Sequence, residues 1–92
     1  MASQRYNADQ PEDLLTLGAF YAQRERFDSA VAAYREALRR APTYVTASIY
    51  LAGALRAQGR VDDALRALED ARRRSPDDPR IAAMLRTFQP AR

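Results

Sequence analysis

The stretch Phe27–Tyr44, FDSAVAAYREALRRAPTY, is echoed 34 residues later by Val61–Asp78, VDDALRALEDARRRSPDD. Overlaying the chain on itself at that spacing sets Leu17 on Leu51, Gly18 on Ala52, Tyr21 on Leu55 and Phe27 on Val61. It also sets Ala30 on Ala64, Tyr34 on Leu68, Ala37 on Ala71 and Pro42 on Pro76. Small falls on small, large on large and proline on proline. Self-similarity at a fixed period of this length marks stacked supersecondary units, each burying an apolar face only against its neighbours.

The periodicity inside each copy predicts two amphipathic helices. Leu14, Leu17, Gly18 and Tyr21 recur at i, i+3, i+4 and i+7; after a break at Arg24–Arg26, Phe27, Ala30, Val31, Tyr34, Ala37 and Leu38 form a second stripe. The second copy repeats this with Ser48, Leu51, Ala52 and Leu55, a turn at Gln58-Gly59-Arg60, and then Val61, Ala64, Leu65, Leu68 and Ala71. Gly59 suits a helix C-terminus, because it takes positive φ at little cost. Pro42 and Pro76 should end the second helix of each copy. Pro11 and Pro79 suit first helical turns, with Asp9 or Gln10 and Asp78 as candidate caps, and Thr43 as a candidate cap for the third helix. Gly18 or Ala52 facing Ala30 or Ala64 lets the paired helices approach closely, so each copy reads as a helical hairpin.

The pattern Leu14, Leu17-Gly18, Tyr21, Ala30, Tyr34, Ala37, Pro42 resembles the tetratricopeptide repeat consensus, with Leu in place of its Trp. The second unit keeps the form with Leu51-Ala52, Leu55, Ala64, Leu68, Ala71 and Pro76, and departs at Ser48, where a large residue is usual. The resemblance implies an all-α solenoid of five helices: a tail over 1–10, one hairpin over 11–44, a second over 45–78 and a capping helix over 79–89. In that last helix Ile81, Met84, Leu85 and Phe88 form the docking stripe. The positions that would face a further helix carry Arg86 and Gln89, so packing residues have become polar, as suits a solvent-facing cap. Pro90 then closes it.

The inventory of side chains argues against an enzyme. The chain has 92 residues with no His, Cys, Trp or Lys, and its fifteen basic residues are all Arg. Imidazole and thiolate ligands, thiol nucleophiles and Schiff-base lysines are therefore excluded, and no cofactor or metal site is expected. No disulfide is possible. The segment MASQRYNADQPEDLL lacks the apolar region of a signal peptide, no stretch approaches the roughly 20 apolar residues of a membrane span, and a cytoplasmic setting is the expectation.

A net charge of +3 and a pI near 9.8 raise the question of nucleic acid. The placement of charge argues against it. Glu36 and Arg40, Asp62 and Arg66, Glu69 and Arg73, and Asp70 and Arg74 are spaced for ion pairs along helices. Asp62-Asp63 and Asp77-Asp78 sit at expected helix starts and Arg72-Arg73-Arg74 at a helix end, all favourable to the helix dipole.

The resemblance implies a concave face lined by the first helix of each unit. Its candidate residues are Glu12, Leu15, Thr16, Ala19, Ala22 and Gln23; then Thr46, Ile49, Tyr50, Gly53, Arg56 and Ala57; and, from the last helix, Arg80, Ala83, Met84 and Thr87. One reading is a surface exposed by geometry alone, with Leu15, Ile49 and Tyr50 partly covered. The other is a groove with an apolar centre of Leu15, Ala19, Ile49 and Gly53, bordered by Arg56 and Arg80, that accepts a protein or peptide partner. Tyr44 and Tyr50 are the tyrosines left for surface contact. The lysine-and-asparagine clamp on a C-terminal carboxylate known in this family is not supported, since Lys is absent. A homo-oligomer that uses the groove or an end surface is the alternative.

Overall fold

The computed structural model describes residues 10–88. The expected tail at 1–9, and Gln89 and Pro90, lie outside the described residues. Five helices follow in order: α1 (Pro11–Gln23), α2 (Phe27–Arg40), α3 (Val45–Ala57), α4 (Val61–Arg74) and α5 (Pro79–Phe88).

Two kinds of turn alternate, each used twice at the 34-residue spacing. Within a hairpin the first helix ends in a Schellman motif. Arg26 N donates to Tyr21 O and Arg60 N to Leu55 O, both at 2.9 Å, while Glu25 N donates to Ala22 O and Gly59 N to Arg56 O. The residue at the bend is left-handed in both copies, Gly59 at φ 79° and Glu25 at φ 61°. Between hairpins, Tyr44 N bonds Ala41 O and Asp78 N bonds Ser75 O, closing turns that hold Pro42 and Pro76 at their second position.

Capping differs from expectation at two starts. Asp78 caps α5 as expected, its Oδ1 accepting from Arg80 N at 2.9 Å. Thr43 does not cap α3: the N-cap residue is Tyr44, with no side-chain cap bond. Gln10 occupies the N-cap of α1 without a side-chain bond, leaving Pro11 to set the first turn.

Glycine and tyrosine fix how closely α1 and α2 pack. A Cβ built on Gly18 would lie 2.6 Å from Tyr34 Cδ1, so the ring of Tyr34 rests directly on the α1 backbone. In the second hairpin Ala52 and Leu68, both 0% exposed, solve the same contact with a smaller and branched pair. The main core joins Ala30, Val31, Tyr34, Leu51, Ala52, Leu55, Ala64, Leu68 and Phe88 across four helices, with Tyr21, Phe27 and Met84 packed against it. Val61, expected in the α4 stripe, is instead 40% exposed. Its partner in the repeat, Phe27, reaches the core with a longer ring, whereas an isopropyl group at the helix start does not.

The charge pairs also depart from the expected register. Glu36–Arg40 and Asp70–Arg74 form at i,i+4, but Arg66 pairs with Asp63 rather than Asp62, and Glu69 with Arg72 rather than Arg73. Residues three and four apart are both within reach on a helix. Asp63 is also bridged by Arg60 from the turn, at 2.9 Å, and that turn contact favours it over Asp62.

The helices form two layers. α1, α3 and α5 lie side by side and touch their neighbours in that layer, while α2 and α4 form the other layer and, among the described residues, their backbones stay apart. A layer that closes opposite one that splays gives a curved array, with α1, α3 and α5 on its inner side.

Candidate partner-binding groove

The inner side is built by the helix faces not used in packing. On α1, Glu12, Thr16 and Gln23 are exposed, while Leu15 and Ala19 are half-buried. On α3, Gly53, Arg56 and Tyr50 are exposed, Tyr50 at 44%, and Thr46 and Ile49 are half-buried. Leu15 leans on the cluster of Leu14, Ala37 and Ala47, and Ile49 on that of Val45, Ala71 and Ile81. Met84, expected in both the docking stripe and the groove, is half-buried against the main core. A Cβ built on Gly53 would meet nothing within 4 Å, so the middle of this face is open.

Several candidates are brought together by the repeat spacing. Arg80 Nη1 donates to Thr46 Oγ1 at 3.1 Å, linking equivalent positions of α5 and α3. Arg80 also holds Asp78 through Nη2, at 2.9 Å, and Nε. The Arg80 side chain, then its backbone N–H, keeps the Asp78 carboxyl below its ordinary value, and Asp78 in turn raises Arg80. The guanidinium of Arg56 lies 4.9 Å from the centre of the Phe88 ring, a cation–π contact that fixes it beside the end of α5. Both border arginines are thus oriented by neighbours while remaining exposed.

Tyr50 is seated on Tyr34, its ring edge-on at 5.8 Å and 72°. Burial first, and the neighbouring Tyr50 second, raise the Tyr34 hydroxyl above its ordinary value. Half-buried Tyr44 packs against the cluster of Leu14, Ala37 and Ala47, and its hydroxyl is also raised, by burial first and then by the charges of Glu12 and Tyr50. Thr16 Oγ1 is turned back to Glu12 O, at 3.0 Å.

No cluster of three or more acids that could hold a metal occurs among the described residues. Among those residues no helix is long and apolar enough to cross a membrane.

A tetratricopeptide repeat profile matches residues 21–87, which is 67 of the chain's 92 residues. The chain belongs to the tetratricopeptide repeat family. The match runs from the last turn of α1 through α5, so the fifth helix lies within the repeat pattern. No curated protein matches the chain. Tetratricopeptide repeats generally mediate protein–protein interaction and form a noncatalytic module.

Proposed function

We propose that this tetratricopeptide repeat chain binds a peptide or partner protein along its inner face. The observation that carries the reading is the open strip over Gly53, flanked by half-buried Leu15, Ala19 and Ile49 and by exposed Tyr50, with Arg80 beside the start of α3 and Arg56 beside the end of α5. Half-buried apolar groups give up little entropy on contact, because packing already restricts them. Each oriented arginine supplies charge-assisted hydrogen bonds for an acidic group at its own end of the strip. A displayed peptide library selected on the wild type and counter-screened on Gly53→Arg tests this. Binders that survive on the Gly53→Arg chain as well as on the wild type refute the groove.

A second reading has its own observation. At the outer face of the first hairpin, Leu14, Leu17, Tyr21, Ala32 and Ala33 line a cleft of about 340 Å³. Beside it on α1, Phe20 is 46% exposed with Arg24 over its ring. A second copy seated there makes a homodimer through an end surface. Phe20→Arg then returns a dimeric wild type to monomers, and a wild type that is already monomeric rules this reading out.

A further inference from the structure

The outer side of the array carries a second site that the groove does not include. Where α2 and α4 stand apart, a cleft of about 460 Å³ runs between them with α3 as its floor. That volume falls within the roughly 300–1,000 Å³ typical of ligand sites. The second unit departs from the first at the floor of this cleft. Position 48 holds Ser, buried to 3% at the cleft floor, where the equivalent position of the first unit holds Leu14, buried against Ala37 and Ala47. Half-buried Leu38 and buried Leu51, 5% exposed, line the cleft beside it.

Charge at the rim is one-sided. Arg35, Arg39 and Arg74 stand around the cleft against the single acid Asp70. Glu36 pairs with Arg39 and Arg40, and Asp70 with Arg73 and Arg74, so with Arg35 two acids stand against five arginines and the rim keeps a net positive charge. The Arg35 side chain makes no hydrogen bond or ion pair among the described residues. Each guanidinium offers five N–H donors, and Arg39 and Arg74 use only some of theirs on the acids.

We propose that this outer cleft binds an acidic peptide segment, one that places a bulky apolar side chain on half-buried Leu38 and Ala67 and flanking carboxylates on Arg35, Arg39 and Arg74. The apolar strip of Leu38 and Ala67, above buried Leu51, favours such a peptide over a nucleic-acid backbone, which would bring phosphates but nothing to cover that strip. Basic rim and apolar centre together match the usual anatomy of a peptide anchor. This site is independent of the inner groove.

The test is an NMR titration of the 15N-labelled chain with the blocked peptide EELFEE, with KKLFKK and a ten-nucleotide oligo-dT as comparisons. Saturable shifts at amides of α2 and α4 around Arg35, Leu38, Ala67 and Arg74 are expected with EELFEE. Arg35→Glu, at an exposed position, should weaken this binding about tenfold or more. Ser48→Leu should abolish it by filling the floor, with circular dichroism reporting whether that variant folds; Gly53→Arg on the inner face should leave it unchanged. The proposal is overturned if EELFEE gives no saturable shift, if Arg35→Glu binds as well as the wild type, or if the shifts fall on the inner face. An equal response to KKLFKK, or tighter binding of oligo-dT at the same amides, overturns it equally.

Discussion

Glu25 and Gly59 occupy the same bend of the two hairpins, and replacing Glu25 by Gly should stabilise the fold. Both residues are left-handed, at φ 61° and 79°, and both close Schellman motifs with near-identical bonds. An L-residue in this conformation costs about 1–2 kcal/mol, which glycine avoids. Glycine's greater freedom in the unfolded chain offsets about 0.5–1 kcal/mol of that gain. Removing a carboxylate from the C-terminal end of α1 adds about 0.3–1 kcal/mol, since negative charge is unfavourable there. The net expectation for Glu25→Gly is a gain of about 1 kcal/mol, or about 4–8 °C in Tm for a domain of this size.

Glu25→Ala separates the two causes, because it removes the charge and keeps a Cβ in the left-handed region. Urea denaturation followed by helical circular dichroism should rank Glu25→Gly above Glu25→Ala above wild type, with unchanged denaturant slope. Raising the salt should shrink the gain of Glu25→Ala, which is electrostatic, and preserve the difference between the two variants. The reasoning fails if Glu25→Ala is as stable as Glu25→Gly, or if Glu25→Gly is less stable than the wild type. Gly59→Ala, the reciprocal change, should lose about 1 kcal/mol.

Other expectations follow from the same structure. Gly18→Ala drives a methyl group into the Tyr34 ring, and an overpacking cost of about 1–3 kcal/mol should exceed the helix-propensity gain of about 1 kcal/mol. Adding Tyr34→Leu, which copies the Ala52–Leu68 pair of the second hairpin, should recover part of that loss in a double-mutant cycle. Gly53→Ala places its methyl in open space and should stabilise α3 by about 0.5–1 kcal/mol in the same denaturation assay. Asp78 has its folded-state value lowered below the ordinary 3.8 by the Arg80 side chain and backbone N–H. Its contribution is therefore present above 3.8 and lost as pH falls through the depressed value, so the stability gap between wild type and Asp78→Ala should close in that acid window.

The repeat was legible because its signals are local. Helical periodicity, the spacing of 34, Gly59 and the two prolines all act within a few residues of where they are read. Glu25 was not legible as a left-handed bend, since nothing in its side chain favours that conformation; only alignment with Gly59 reveals it. Thr43 carried a capping signal that the Ala41–Tyr44 turn overrode, and α3 starts at Val45 instead. The ion pairs shifted by a residue because arginine reaches i+3 and i+4 alike, and contacts from outside the helix choose between them. On the inner face, the helix positions followed from the period, whereas the Arg56–Phe88 and Arg80–Thr46 contacts depend on how α5 docks on α3. The outer cleft depends on the distance between α2 and α4, which no stretch of sequence encodes by itself. Ser48 stood out as a departure from pattern, and the structure places it in the floor of that cleft.

The most direct measurement is solution mass by light scattering over a range of concentrations, for the wild type and for Gly53→Arg. An inner face that is open to a foreign partner predicts that the mass at every concentration is the same for both chains. A wild-type dimer that Gly53→Arg converts to monomers would contradict the account, because a second copy would already fill the groove.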